Sequence, residues 1–164
     1  MRAILVFVLS NYSLSFLLLG LIVGGLAALR APQRPGATVE ALFSYYLLCA
    51  LGFSFLYNFV MHVFFQQTAA RFIGWAPSPF ETEVGFASLG FALVALLAFK
   101  GSYGLRVGAV VGPAMFLWGA AGGHVYQMIT AHNFAPGNAG IVFYTDIIVP
   151  LIGFAFLYWQ RRQA

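Results

Sequence analysis

The chain has 164 residues, of which 62% are hydrophobic and 7% charged. Soluble domains carry about 25% charged and about 45–50% apolar residues, so this composition excludes a soluble globular domain, a disordered tail and a coiled coil. Eight Lys and Arg against four Asp and Glu give a net charge of +4. The cations are scattered at the ends of apolar stretches, which is not a nucleic-acid footprint; in a membrane protein such a distribution sets orientation.

Five apolar segments predict five transmembrane helices in one domain over residues 1–164. They cover approximately 3–29, 39–66, 79–99, 105–130 and 139–159. Each is long enough to cross a hydrocarbon core of about 30 Å at about 1.5 Å per residue. Lipid cannot satisfy an open backbone, so helices are required, and the alternating polarity of a membrane barrel is absent. The first apolar run is longer than the core of a signal peptide and has no persuasive cleavage site, so it is expected to be a retained span. Asn11-Tyr12-Ser13 has the pattern of a glycosylation acceptor but lies inside that span, where it has no meaning. The single cysteine, Cys49, has no partner and reads as a small buried hydrophobe.

The positive-inside rule gives the topology. With the N-terminus outside and the C-terminus inside, the inner side holds Arg30, Arg34, Lys100, Arg106, Arg161 and Arg162, and the outer side holds Arg2 and Arg71. Ser78-Pro79-Phe80-Glu81 has capping-box spacing with proline at the first helical position, and Asn138 can cap the fifth helix. Gly104, Gly108 and Gly112 recur every four residues, as do Gly119 and Gly123, and such small residues predict close helix packing. Pro113 is a candidate kink in the fourth helix.

Mapped onto this topology, the polar residues of the spans gather toward the outer leaflet, about 5–15 Å below its surface by helical rise. Asn58, His62 and Gln66 are spaced four apart and share a face of the second helix. The third helix brings Glu81 and Glu83, the fourth His124 and Gln127, and the fifth Asp146. The loop between the last two holds His132, Asn133 and Asn138. Glu81 is most simply the partner in the capping box, which leaves His62, Glu83, His124 and Asp146 as one ionisable group from each of four helices. Acids within a span cost about 2.5–3.5 kcal/mol on insertion scales, so they are expected to face the bundle and find partners.

Two imidazoles and two carboxylates suit a divalent metal such as zinc, iron, copper or manganese, and bundles build such sites between helices. The same groups can carry protons or bind a small ion or solute from the outer side; their plainer role is buried hydrogen bonding that fixes helix register. Asn133 and Asn138 are assigned to the mouth of the site. A haem held by His62 and His124 ranks below these alternatives. No phosphate loop or nucleophile elbow is present, so the sequence leans away from an enzyme without deciding the matter.

The segments Ser78-Pro79-Phe80-Glu81-Thr82-Glu83-Val84-Gly85 with Leu89-Gly90, Gly123-His124-Val125-Tyr126-Gln127, Asn133-Phe134-Ala135-Pro136-Gly137-Asn138-Ala139-Gly140 and Tyr144-Thr145-Asp146 resemble a family of small multi-pass bacterial membrane proteins without an established activity. The resemblance covers roughly residues 58–150. It implies a bacterial cytoplasmic (inner) membrane and no reaction, and its motif positions fall on Glu83, His124, Asn138 and Asp146. The expected protein is therefore an all-α bundle of five transmembrane helices in contact with the lipid bilayer, with a metal or proton site opening outward. The alternatives are a structural or accessory subunit, in a homo-oligomer or with a membrane partner, and a membrane oxidoreductase using metal or haem.

Overall fold

The computed structural model describes residues 1–32 and 34–163, and among these the chain is helical with no strand. The elements are α1 (Arg2–Ser10), α2 (Tyr12–Leu29), α3 (Ala37–Tyr45), a π-helical segment (Tyr46–Phe53), α4 (Ser54–Phe64), α5 (Gln66–Ile73), α6 (Phe80–Ala98), α7 (Tyr103–Ala131), α8 (Pro136–Ala139) and α9 (Ile141–Gln163). Five stretches are long and apolar enough to cross a membrane: Tyr12–Leu29, Ala37–Phe64, Phe80–Ala98, Tyr103–Ala131 and Pro136–Gln163.

Three expectations need correction. The first helix, expected unbroken over 3–29, is interrupted at Asn11, whose side-chain amide donates to the Phe7 carbonyl at 2.9 Å. Local bonding of this kind competes with the helical ladder. The second helix, expected over 39–66, contains the π segment and stops at Phe64. A short helix, α5, then begins at Gln66 and ends at Gly74, whose φ of 77° is the left-handed stop that glycine permits. The third helix starts without the capping box: its N-terminal residue Pro79 makes no side-chain cap, and Glu81 is engaged elsewhere.

The aromatic and aliphatic core sits toward the end of the bundle that carries the α2–α3 and α6–α7 connections. Phe43, Tyr46, Leu47, Ala95, Val110 and Val149 are buried there, and Phe43 stacks on Phe156 with ring centroids 5.5 Å apart. The Tyr46 hydroxyl donates to the Val149 carbonyl at 2.7 Å, tying the π segment to α9.

Glycines allow close approach at other positions than the sequence implied. A Cβ on Gly20 would meet the Tyr45 carbonyl oxygen at 2.8 Å, and one on Gly153 would meet the Tyr46 hydroxyl at 2.8 Å. By contrast, a Cβ on Gly104, Gly108 or Gly119 would meet nothing within 4 Å; Gly104 and Gly108 lie exposed on α7, and Gly119 borders open space. Gly112 and Gly123 have looser neighbours, Phe91 at 3.3 Å and Trp75 at 3.8 Å.

Arg106 is not a loop cation. It is 1% exposed, and it donates through Nη1 and Nη2 to both carboxylate oxygens of Glu40 at 2.7 Å. It also donates to Ser44 Oγ and to the Ala98 and Phe99 carbonyls at the end of α6. Gln160 of α9 donates to Glu40 at 2.9 Å. This planar, forked donor set suits arginine, and it fastens α3, α6, α7 and α9 at the core end.

Candidate functional site

Beside the core, which borders it at Ala50, Phe55 and Val149, the helices form a cavity of about 850 Å³. Its walls come from α1, α2, α4, α5, α6, α7 and α9, with Gly137 of α8. Most of the lining is apolar, but His62, Glu81, His124 and Asp146 all border it.

The four groups form two pairs. On one wall His62 of α4 bonds Glu81 of α6 through Nδ1 and Oε2, with both residues buried. On the other wall His124 of α7 presents Nε2 to Oδ2 of Asp146 in α9 at 3.6 Å. That is ion-pair distance but longer than a hydrogen bond, so the Asp146 carboxylate keeps bonding capacity beside the cavity. Among the described residues, no three His, Cys, Asp or Glu come together in an arrangement able to hold a metal.

Glu83 does not join either pair. It is exposed on α6, while Glu81 and Gly85 face inward. The assignment of roles to the two glutamates is therefore exchanged relative to the sequence reading. Glu81 fits a capping box by spacing, but His62, whose α4 backbone lies against Gly85, takes its carboxylate instead. The signal was present in the face formed by Asn58, His62 and Gln66, since all three meet α6. Asn58 donates to Ser88 Oγ at 2.9 Å and Gln66 to Thr82 Oγ1 at 2.8 Å. Tyr12 in turn donates to Asn58 at 2.9 Å.

Asn133 and Asn138 lie outside the lining of the cavity. Asn138 is 0% exposed and sits behind His124. Its Oδ1 accepts from Trp75 Nε1 at 3.1 Å and lies 2.8 Å from His124 Nδ1. Its Nδ2 donates to the carbonyls of His124 and Asn133 at 3.2 and 2.9 Å. An indole N–H only donates and a carbonyl only accepts, so these partners fix which end of the amide is which. Oδ1 is therefore an acceptor, and His124 Nδ1 must carry a proton. The Nε2 facing Asp146 is left as the position that gains or loses one. Asn133 donates to the carbonyls of Ile73 and Gly74 at 3.0 and 3.2 Å, and holds the end of α5 against the α7–α8 loop. His132 sits at the left-handed end of α7 with φ 49° and is exposed.

Trp75 has a role that the sequence reading missed. It borders the cavity, bonds Asn138 and lies against the His124 ring at a centroid distance of 5.7 Å. Nothing in its loop context signals this, because the contact joins residues 63 positions apart. Ser13 Oγ and Thr145 Oγ1, 2.5 Å apart, close the remaining polar gap between α2 and α9.

A family described as a family of unknown function, DUF6790, matches residues 10–164. The chain belongs to that family. Neither the curated proteins nor the solved structures give a match.

Proposed function

We propose that this is an integral membrane protein of the bacterial cytoplasmic membrane that holds exchangeable protons and a small ligand in its extracytoplasmic half. The N-terminus lies outside and the C-terminus inside. The orientation is supported by the excess of Lys and Arg at the proposed inner side. The excess stands even when Arg106, neutralised by Glu40, is set aside. The lipid environment is supported by the five apolar helices and by the exposed aliphatic side chains along α2, such as Ile22 and Leu26.

One observation carries the reading: two separate histidine–acid pairs border the same cavity. Each pair can hold a single proton, on the imidazole or on the carboxylate. At His124 the Asn138 contact restricts exchange to Nε2. This geometry favours proton holding over a four-ligand metal centre of His62, Glu83, His124 and Asp146, because Glu83 points away and the other groups are already paired.

Histidine ¹⁵N spectra of the detergent-solubilised protein test this. Across a pH series Nδ1 of His124 should stay protonated while Nε2 exchanges, and Asp146→Asn should alter the Nε2 response and spare Nδ1. Two nitrogens that titrate alike, or no response at either histidine, would refute the assignment. Elemental analysis and a visible spectrum of the same preparation test the metal and haem alternatives directly. A second reading, an accessory subunit or homo-oligomer, is favoured by the outward-facing Gly104 and Gly108 of α7, small residues that a neighbouring helix can approach closely.

A further inference from the structure

The cavity is open to the flank of the bundle as well as enclosed within it. Met115 is 54% exposed and Gly119 is exposed, yet both border the cavity from the middle of α7. Phe80 at the start of α6 is 66% exposed and borders it too. An opening at the level of an apolar span meets acyl chains, not water, so a molecule entering there is dissolved in the bilayer. The volume of about 850 Å³ lies within the range of about 300–1,000 Å³ for ligand pockets.

Inside, two features select the ligand. The walls present aromatic faces from Tyr12, Phe55, Phe72, Trp75 and Phe116, which favour a flat ring. The two polar stations stand on different helix pairs, α4–α6 and α7–α9, so one ligand satisfies both only with two polar atoms. Each station can donate or accept according to where its shared proton lies. Asp146 keeps bonding capacity toward the cavity because its contact with His124 is 3.6 Å. The pairs neutralise themselves, which removes the need for a charged ligand.

We infer that the cavity binds a lipid-soluble ring bearing two oxygens and an apolar tail, of the benzoquinone or hydroquinone class, between the His62–Glu81 and His124–Asp146 pairs. This rests on the proposed proton-holding site. The ring oxygens hydrogen-bond to the two pairs, the ring lies against the aromatic walls, and the tail leaves past Met115 and Gly119.

The test titrates the full chain in mild detergent with decylubiquinone and follows quenching of tryptophan fluorescence, with n-decanol and n-decylamine as competitors. The expected result is saturable quenching that decanol and decylamine displace at least tenfold less effectively. Gly119→Phe should weaken binding at least tenfold. A Cβ there meets nothing within 4 Å, so the backbone accepts a side chain at this position, and the added ring stands at the border of the cavity. Asp146→Asn should weaken binding of the quinone and leave that of decanol unchanged. Equal displacement by decanol would overturn the inference by showing that the cavity reads only the tail. Preference for decylamine would overturn it in favour of a cation site. Absence of saturable binding, with the histidine ¹⁵N behaviour intact, would overturn the ligand class and leave the proton site standing. Loss of that ¹⁵N behaviour in the unmodified protein would remove the proton site itself.

Discussion

Asn138→Ala is expected to loosen the site and the loop that covers it together. Asn138 joins four partners: Trp75 Nε1, His124 Nδ1, the His124 carbonyl and the Asn133 carbonyl. It is fully buried, so water does not replace the lost bonds without rearrangement. At a net of about 0.5–1.5 kcal/mol each, four bonds sum to about 2–6 kcal/mol, and partial relaxation of the loop places the expected loss near 3 kcal/mol. For a chain of this size that is a fall of about 6–12 °C in Tm. Asn138→Asp separates the two halves of the contact. It keeps an oxygen for Trp75 and His124 but sets a second oxygen against two carbonyls, so it should also destabilise while leaving His124 Nδ1 protonated. Thermal unfolding in mild detergent gives the stability, and ¹⁵N spectra of His124 give the tautomer. If Asn138→Ala unfolds within about 2 °C of the parent and His124 keeps a single tautomer, Asn138 does not set the protonation of this site.

Two further perturbations probe the frame around the site. Glu40→Ala should cost about 2–3 kcal/mol, because it leaves the Arg106 cation buried. The figure lies below the about 3–5 kcal/mol seen for fully buried pairs because the Glu40 side chain is 41% exposed. In a double-mutant cycle with Arg106→Met the two losses should be clearly less than additive, and additive losses in detergent unfolding would show that the fork contributes little. Gly153→Ala should cost about 1–3 kcal/mol by pushing against the Tyr46 hydroxyl and Val110. Gly104→Ala should be neutral or stabilise by up to about 1 kcal/mol. A destabilising Gly104→Ala, seen together with a change in oligomer size, would show that a second chain packs on that face.

The helical class and the five helices long and apolar enough to cross a membrane were legible because hydrophobic length is written locally. That His62, His124 and Asp146 lie beside one cavity accords with their positions along the helices, since rise per residue converts position into height. What the sequence could not decide was direction around each helix axis. Glu81 and Glu83 are two residues apart, so they point about 200° apart on a helix. A capping motif at Ser78 drew Glu81 away from the site on paper, whereas in the fold Gly85 lets the α4 backbone approach and His62 reach it. The glycine repeat of α7 failed for a related reason. Spacing of four defines a smooth face but not the neighbour that uses it, and the close approaches fall instead at Gly20 and Gly153. Arg106 was counted as a loop charge because its partner Glu40 lies 66 positions away. Trp75 was illegible as a site residue because its contact with Asn138 joins positions 63 apart, and Asn138, legible as a site residue, was not legible as the partner of His124.

The pairing pattern has its own energetic logic in an apolar setting. A carboxylate within a span costs about 2.5–3.5 kcal/mol on insertion scales, and two of them facing one space would also repel. Four groups drawn around one ion would leave that cost uncompensated whenever the ion is missing. Here Glu81 is matched by His62 and Asp146 by His124, so each carboxylate has a basic partner. A proton shared within a pair keeps its net charge at zero wherever the proton sits. The cavity can therefore stay polar enough to orient a ligand without requiring a permanent counterion. The same logic predicts an asymmetry between the halves of a pair. Asp146→Asn removes the charge and leaves a hydrogen-bonding amide, so it should fold and lose proton exchange at Nε2. His124→Ala strands the carboxylate and also deprives Asn138 of a partner, so it should cost more stability. Comparable unfolding temperatures for the two variants would show that neither the stranded carboxylate nor the lost Asn138 contact is costly, and would refute this pairing logic.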